Sequence, residues 1–152
     1  MQIETLQDVL HWTQRFHREL GNCMHHCSEH NESERARLLL DYLTDHENTL
    51  VTILDGFEET ANEAALNTWC IEYIHKHPIL LHEKCELPFS TMNASEIIAE
   101  VCNLHEQVTD LYKYLHSRAE SASARELLAQ LSELELHEAM SAAQAANRLQ
   151  DL

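Results

Sequence analysis

Two carboxylates, Glu47 and Glu135, close a stretch that the chain writes twice, as SERARLLLDYLTDHE at 33–47 and SASARELLAQLSELE at 121–135. The copies lie 88 residues apart and agree at Ser33/Ser121, Ala36/Ala124, Arg37/Arg125, Leu39/Leu127, Leu40/Leu128 and Leu43/Leu131. On a helix Glu47 shares a face with Leu43 and Leu50, while Glu135 follows Leu131 in the same way, with Glu138 one turn further on. A carboxylate turned into an apolar bundle is costly unless it is paired or binds a metal. Glu19 precedes Glu47 by 28 residues and Glu106 precedes Glu135 by 29, so each of two helical hairpins can bring two carboxylates to one height. Four such Glu are hard oxygen donors of the kind that iron or manganese ions take.

A rival donor set is histidine, of which the chain has 12. His17 and His105 are also 88 residues apart, and with His46 and His137 they can form an imidazole layer, alone or behind the carboxylates. Neutral imidazole suits iron, zinc and copper. Two further clusters are incomplete. CMHHCSEH at 23–30 sets Cys23/Cys27, His26/His30 and His25/Glu29 one turn apart, but two ligands on one helix need a partner segment. HKHPILLHEKCE at 75–86 fits no zinc spacing. There is no Gly-rich phosphate loop, nucleophile elbow or Cys–His signature, so no nucleotide cofactor is expected and no catalytic residue is assigned.

The elements that must carry these residues are helical. Only two Gly and two Pro punctuate 152 residues. Apolar residues recur at helical spacing from about 3 to 29, with Gly21 inside the run allowing close packing, and again from about 33 to 57 after Asn31 and Glu34. Thr60 and Glu63 open a shorter helix to about 76, with Trp69, Cys70, Tyr73 and Ile74 on its apolar face. Both prolines fall in HPILLHEKCELPFST, a loop or crossover. Asn93 and Glu96 begin the next helix, and the last spans about 122–150. The pattern predicts an all-α fold: a single domain over 1–152, a four-helix bundle of two hairpins with a long crossover that contains a short extra helix.

The net charge of −16 excludes a nucleic-acid partner and disfavours anionic membranes. No apolar run approaches the ~20 residues of a membrane span, and the N-terminus has no signal-peptide pattern. Five Cys without framework spacing read as reduced thiols, which points to the cytoplasm.

With Glu47 in LTDHENTL, Glu135 in LSELELHEAM, Glu106 followed by Tyr112, and Glu19 followed by His25 and His26, the sequence resembles the ferritin-like superfamily and its rubrerythrin-type proteins. The resemblance implies iron or manganese at Glu19, Glu47, Glu106 and Glu135, with Glu138 bridging or capping, and iron handling or chemistry on dioxygen or peroxide. The family's Glu-x-x-His is replaced here by Leu50 in one copy and Glu138 in the other, which leaves the set one ligand short. Three readings follow: a dimetal site with unusual ligands, a single-metal site, or a metal-free bundle that acts through dimerisation or partner binding. A hemerythrin-like site is suggested by the spacings His26/His30 and His82/Glu86, but they come in the wrong order and lie partly in the crossover.

Overall fold

A computed structural model describes residues 3–70 and 88–150. Its helices begin where polar side chains can satisfy the otherwise unpaired first N–H groups. Thr5 and Asp8 form a capping box that opens α1 (Leu6–His30), and Asn93 and Glu96 form another that opens α4 (Ala94–Arg118). Ser33 caps α2 (Glu34–Thr60) and Asn62 caps the single turn of α3 (Glu63–Leu66). Ser121 precedes α5 (Ala122–Gln150) and accepts from the Ala124 amide at 3.2 Å. Helices α1 and α2 form one hairpin and α4 and α5 the other, and α2 packs across onto both α4 and α5.

The repeated stretch turns out to encode the hairpin corner twice. Ser33 Oγ accepts from the Ala36 amide at 3.2 Å, the same bond that Ser121 makes. Ala36 and Ala124 are fully buried, where a larger side chain would hold the helices apart. Arg37 reaches back to the Asn31 carbonyl at 2.9 Å, and Arg125 to those of Ala119 and Glu120 at 3.0 Å, so each guanidinium ties off the end of the preceding helix. Leu39, Leu40, Leu43 and their counterparts Leu127, Leu128 and Leu131 then enter the core. Because the two serines have the same task, Ser33→Ala and Ser121→Ala are each expected to cost about 1 kcal/mol in urea unfolding. A loss at one corner only would show that the repeat is not used symmetrically.

Several boundaries differ from expectation. Asn31 does not open α2; it closes α1, and its amide nitrogen donates to the carbonyls of Phe89 (2.8 Å) and Met92 (3.0 Å), pinning this corner to the start of α4. The second helix runs on to Thr60, and the short helix is capped by Asn62 rather than Thr60 and stops at Leu66 instead of continuing to about 76. The reason is tertiary. The chain after α3 turns extended and pairs with the segment before α1, through Leu6 N to Thr68 O and Cys70 N to Glu4 O, both 2.8 Å. Trp69 is thereby left exposed while Cys70 is buried. Tyr73, Ile74 and the crossover up to Leu87 lie outside the described residues. Cys27, Cys70 and Cys102 are in no disulfide, but Cys23 is disulfide-bonded, contrary to the expectation of five reduced cysteines; spacing alone carries no information on such pairing. Among the described residues no helix is long and apolar enough to cross a membrane.

Gly21 lies in close contact with α2. A Cβ there would stand 3.3 Å from the Cβ of Glu47 and from Asn48 Oδ1. The missing side chain thus lets α2 deliver Glu47 to the middle of the bundle.

Candidate metal centre

Each long helix contributes one residue to a buried polar layer: His17 from α1, Glu47 from α2, His105 from α4 and Glu135 from α5. None is more than 3% exposed. His17 Nδ1 lies 2.6 Å from Glu47 Oε2 and its Nε2 lies 2.6 Å from Glu135 Oε1. His105 Nε2 is 2.5 Å from Glu47 Oε1, and its Nδ1 is 3.4 Å from Glu135 Oε2. The four side chains make a ring in which imidazoles and carboxylates alternate. Both like pairs are 88 residues apart, so the ring carries the pseudo-two-fold symmetry of the repeat.

Burial alone would drive these groups toward their neutral forms, and the partners overcome it. Burial pushes His17 down, but Glu135 and Glu47 raise it to about 10. Burial pushes Glu47 up, but His105 and His17 bring it down to about 2. His105 is likewise raised, with burial and His17 opposing and Glu47 and Glu135 prevailing. For these three side chains the partners therefore favour the charged forms.

The ring is not closed equally on all sides. Glu47 holds the far nitrogen of both imidazoles, which fixes their orientation and turns His17 Nε2 and His105 Nδ1 toward Glu135. His17, His105 and Glu135 each offer a ligand atom within 4.8 Å of the others. On this side His105 Nδ1 and Glu135 Oε2 have no hydrogen-bond partner. Two imidazoles and a carboxylate converging from buried helices, backed by a carboxylate on the imidazoles' far nitrogens, is a donor set that fits a divalent transition metal.

No family model matches the sequence, and no curated protein does. Among solved structures, a crystal structure from Thermotoga maritima described as a ferritin-like diiron-carboxylate protein matches over 97% of each chain, with a TM-score of 0.64 at 13% identity. The fold is a ferritin-like helical bundle.

Within this ferritin-like bundle the candidate ligands separate. Glu47 and Glu135 are in the layer; Glu19 and Glu106 are not. Glu19 is half-buried and pairs with Arg15 at 3.2 Å, and Glu106 is exposed. Glu19 follows His17 by two residues and Glu106 follows His105 by one, so they leave their helices about 200° and 100° round from the histidines. Glu138 is nearly buried and pairs with His46 Nδ1 at 2.9 Å; the His46 ring packs against Tyr42. His137 is exposed, two residues round from Glu135. The imidazole layer therefore contains His17 and His105 but neither His46 nor His137, and it merges with the carboxylate layer rather than competing with it.

The pseudo-symmetric counterpart of Glu138 is Leu50, fully buried in the core. His26 and His30 stack edge-on at the exposed end of α1, while His82 and Glu86 fall outside the described residues. Matching heights between carboxylates alone does not reveal the mixed ring; the shared 88-residue offset of His17/His105 and Glu47/Glu135 is the signal that links them.

Proposed function

We propose that this ferritin-like protein binds a single iron or manganese ion at His17, His105 and Glu135, with Glu47 orienting both imidazoles from behind. The observation that supports it is the convergence of three buried ligand atoms within 4.8 Å of one another. Two histidines and one carboxylate with positions left open are the donor set of non-haem iron centres that act on oxygen. When bound, such an ion supplies redox chemistry toward dioxygen or peroxide. The chain's own part is to hold the imidazoles in one orientation, to give up the protons they carry in the ring, and to keep the layer buried, with no member more than 3% exposed. This placement is narrower than a dimetal site, since Glu19 and Glu106 do not reach the layer. Elemental analysis of untagged protein is expected to find about one metal ion per chain, none in Glu135→Ala, and an affinity lower by about 10- to 100-fold in Glu47→Gln. Equal metal content in all three would sink the assignment.

A second reading is a metal-free bundle that acts through dimerisation or partner binding. It is favoured by the pairing within the ring, in which each imidazole already sits between Glu47 and Glu135. It predicts a melting temperature unmoved by iron(II) or manganese(II), whereas a ligand of the native state raises it by mass action.

A further inference from the structure

No member of the ring is more than 3% exposed, so an ion bound there must first cross the wall of the bundle. A divalent ion gives up its water readily only where other oxygen or nitrogen donors replace it, and an apolar wall offers none. Among the described residues, the buried carboxylates and imidazoles are the four of the ring and Glu138.

Glu138 stands one helical turn from Glu135 on α5, and residues three apart are neighbours on a helix surface, about 5–6 Å between Cβ atoms. Its Oε2 lies 2.9 Å from Nδ1 of His46 on α2, and His46 directly precedes Glu47. The Glu138 side chain is 11% exposed and that of His46 28%, so the pair steps from the buried layer toward solvent. Tyr42, one turn before His46, packs on its ring with 4.5 Å between centroids and steadies it.

The 88-residue offset relates His46 to Leu134 and Leu50 to Glu138. Leu50 follows His46 by four residues and Leu134 precedes Glu138 by four, so each shares a helix face with its polar neighbour. Leu50 is fully buried, and Leu134 packs against the core. Each helix thus brings one apolar and one metal-ligating side chain to this face, and the two ligating ones meet.

We infer that His46 and Glu138 form a transit site through which a divalent transition-metal ion passes between solvent and the ring. This rests on the proposed metal site. The arriving ion takes His46 Nδ1 and Glu138 Oε2 from each other, releases to solvent the proton they share, and passes on to Glu135 one turn away. Neither residue belongs to the final ligand set, so the pair sets the rate of uptake and not the amount bound.

The test follows cobalt(II) uptake by the metal-free full chain in the visible spectrum after rapid mixing. Four proteins are compared: wild type, Glu138→Gln, His46→Ala and Glu138→Asp. Glu138→Gln keeps the size of the side chain and loses its charge, whereas Glu138→Asp keeps the charge. All four are expected to reach equal cobalt content, with uptake slowed about tenfold in Glu138→Gln and His46→Ala and less in Glu138→Asp. A pair that only fastened α2 to α5 gives the opposite sign, since a loosened seam admits ions faster. Uptake by folded Glu138→Gln or His46→Ala at the wild-type rate or faster therefore overturns the inference and leaves the metal site standing. A lower final cobalt content in folded Glu138→Gln also overturns it, because Glu138 would then be a ligand. If the wild type takes up no cobalt, the metal site itself falls and the transit role with it.

Discussion

Glu47→Ala is expected to destabilise the metal-free protein by about 3–5 kcal/mol, the range for breaking a buried ion pair from one side. Both of its oxygens are engaged, one with each imidazole, and it is only 2% exposed. Its removal leaves His17 and His105 sharing Glu135 in a place that water does not reach, so the protein must either bury an unbalanced charge or neutralise a histidine. The loss is not a measure of what the ring contributes. Replacing all four members with Leu removes charges and partners together and is expected to recover most of the stability, because well-packed apolar residues often match a buried ion pair. Urea unfolding of the wild type, Glu47→Ala and the fourfold variant checks both statements. Glu19→Ala and Glu106→Ala serve as controls and should stay within about 0.5 kcal/mol of the wild type. A Glu47→Ala protein as stable as these controls would show that the ring does not exist in solution.

Much of the fold was legible because local signals agreed with one another. Scarce Gly and Pro, Ser33 and Ser121 at matched corners, and Asn93 with Glu96 all mark helix ends by hydrogen bonds made within a turn, which is the range that sequence patterns report. The end of α3 was not legible, since it depends on Thr68 and Cys70 finding the backbone of Glu4 and Leu6, more than 60 residues earlier. The site falls between these cases. Glu47 and Glu135 could be placed on the apolar stripe, and His17 and His105 shared their offset. Height matches Glu19 and His17 about equally well to Glu47, since on a helix the two differ by only about 3 Å. Their direction differs far more, and direction depends on how α1 rolls against α2. That roll is set at Gly21, where the absence of a Cβ admits Glu47 against α1. Periodicity marked Gly21 as a place of close packing but did not say what it brings close.

The ring also makes stability depend on pH in a way that other carboxylates do not. His17 is raised from 6.5 to about 10, so its contribution is fully present below pH 6.5 and is lost as pH rises through about 10. His105 is shifted in the same direction and adds to that alkaline loss. Glu47 is lowered from 4.5 to about 2, so its contribution is fully present above pH 4.5 and is lost as pH falls through about 2. Both are complete only between about pH 4.5 and 6.5, and chelator-treated protein should be most stabilised by the ring in that window. The chain's charge of −16 gives its own pH dependence, which the fourfold Leu variant largely shares because it alters only four of the many titratable side chains. Melting temperatures of the two proteins, taken from about pH 3 to pH 10, therefore separate ring from background by subtraction. The wild type should lose stability relative to the variant on both sides of the window. Parallel curves from pH 6.5 upward would mean that His17 and His105 are neutral in the folded protein, and the ring would then have to be a pair of ordinary hydrogen-bonded histidines beside two carboxylates that remain uncompensated.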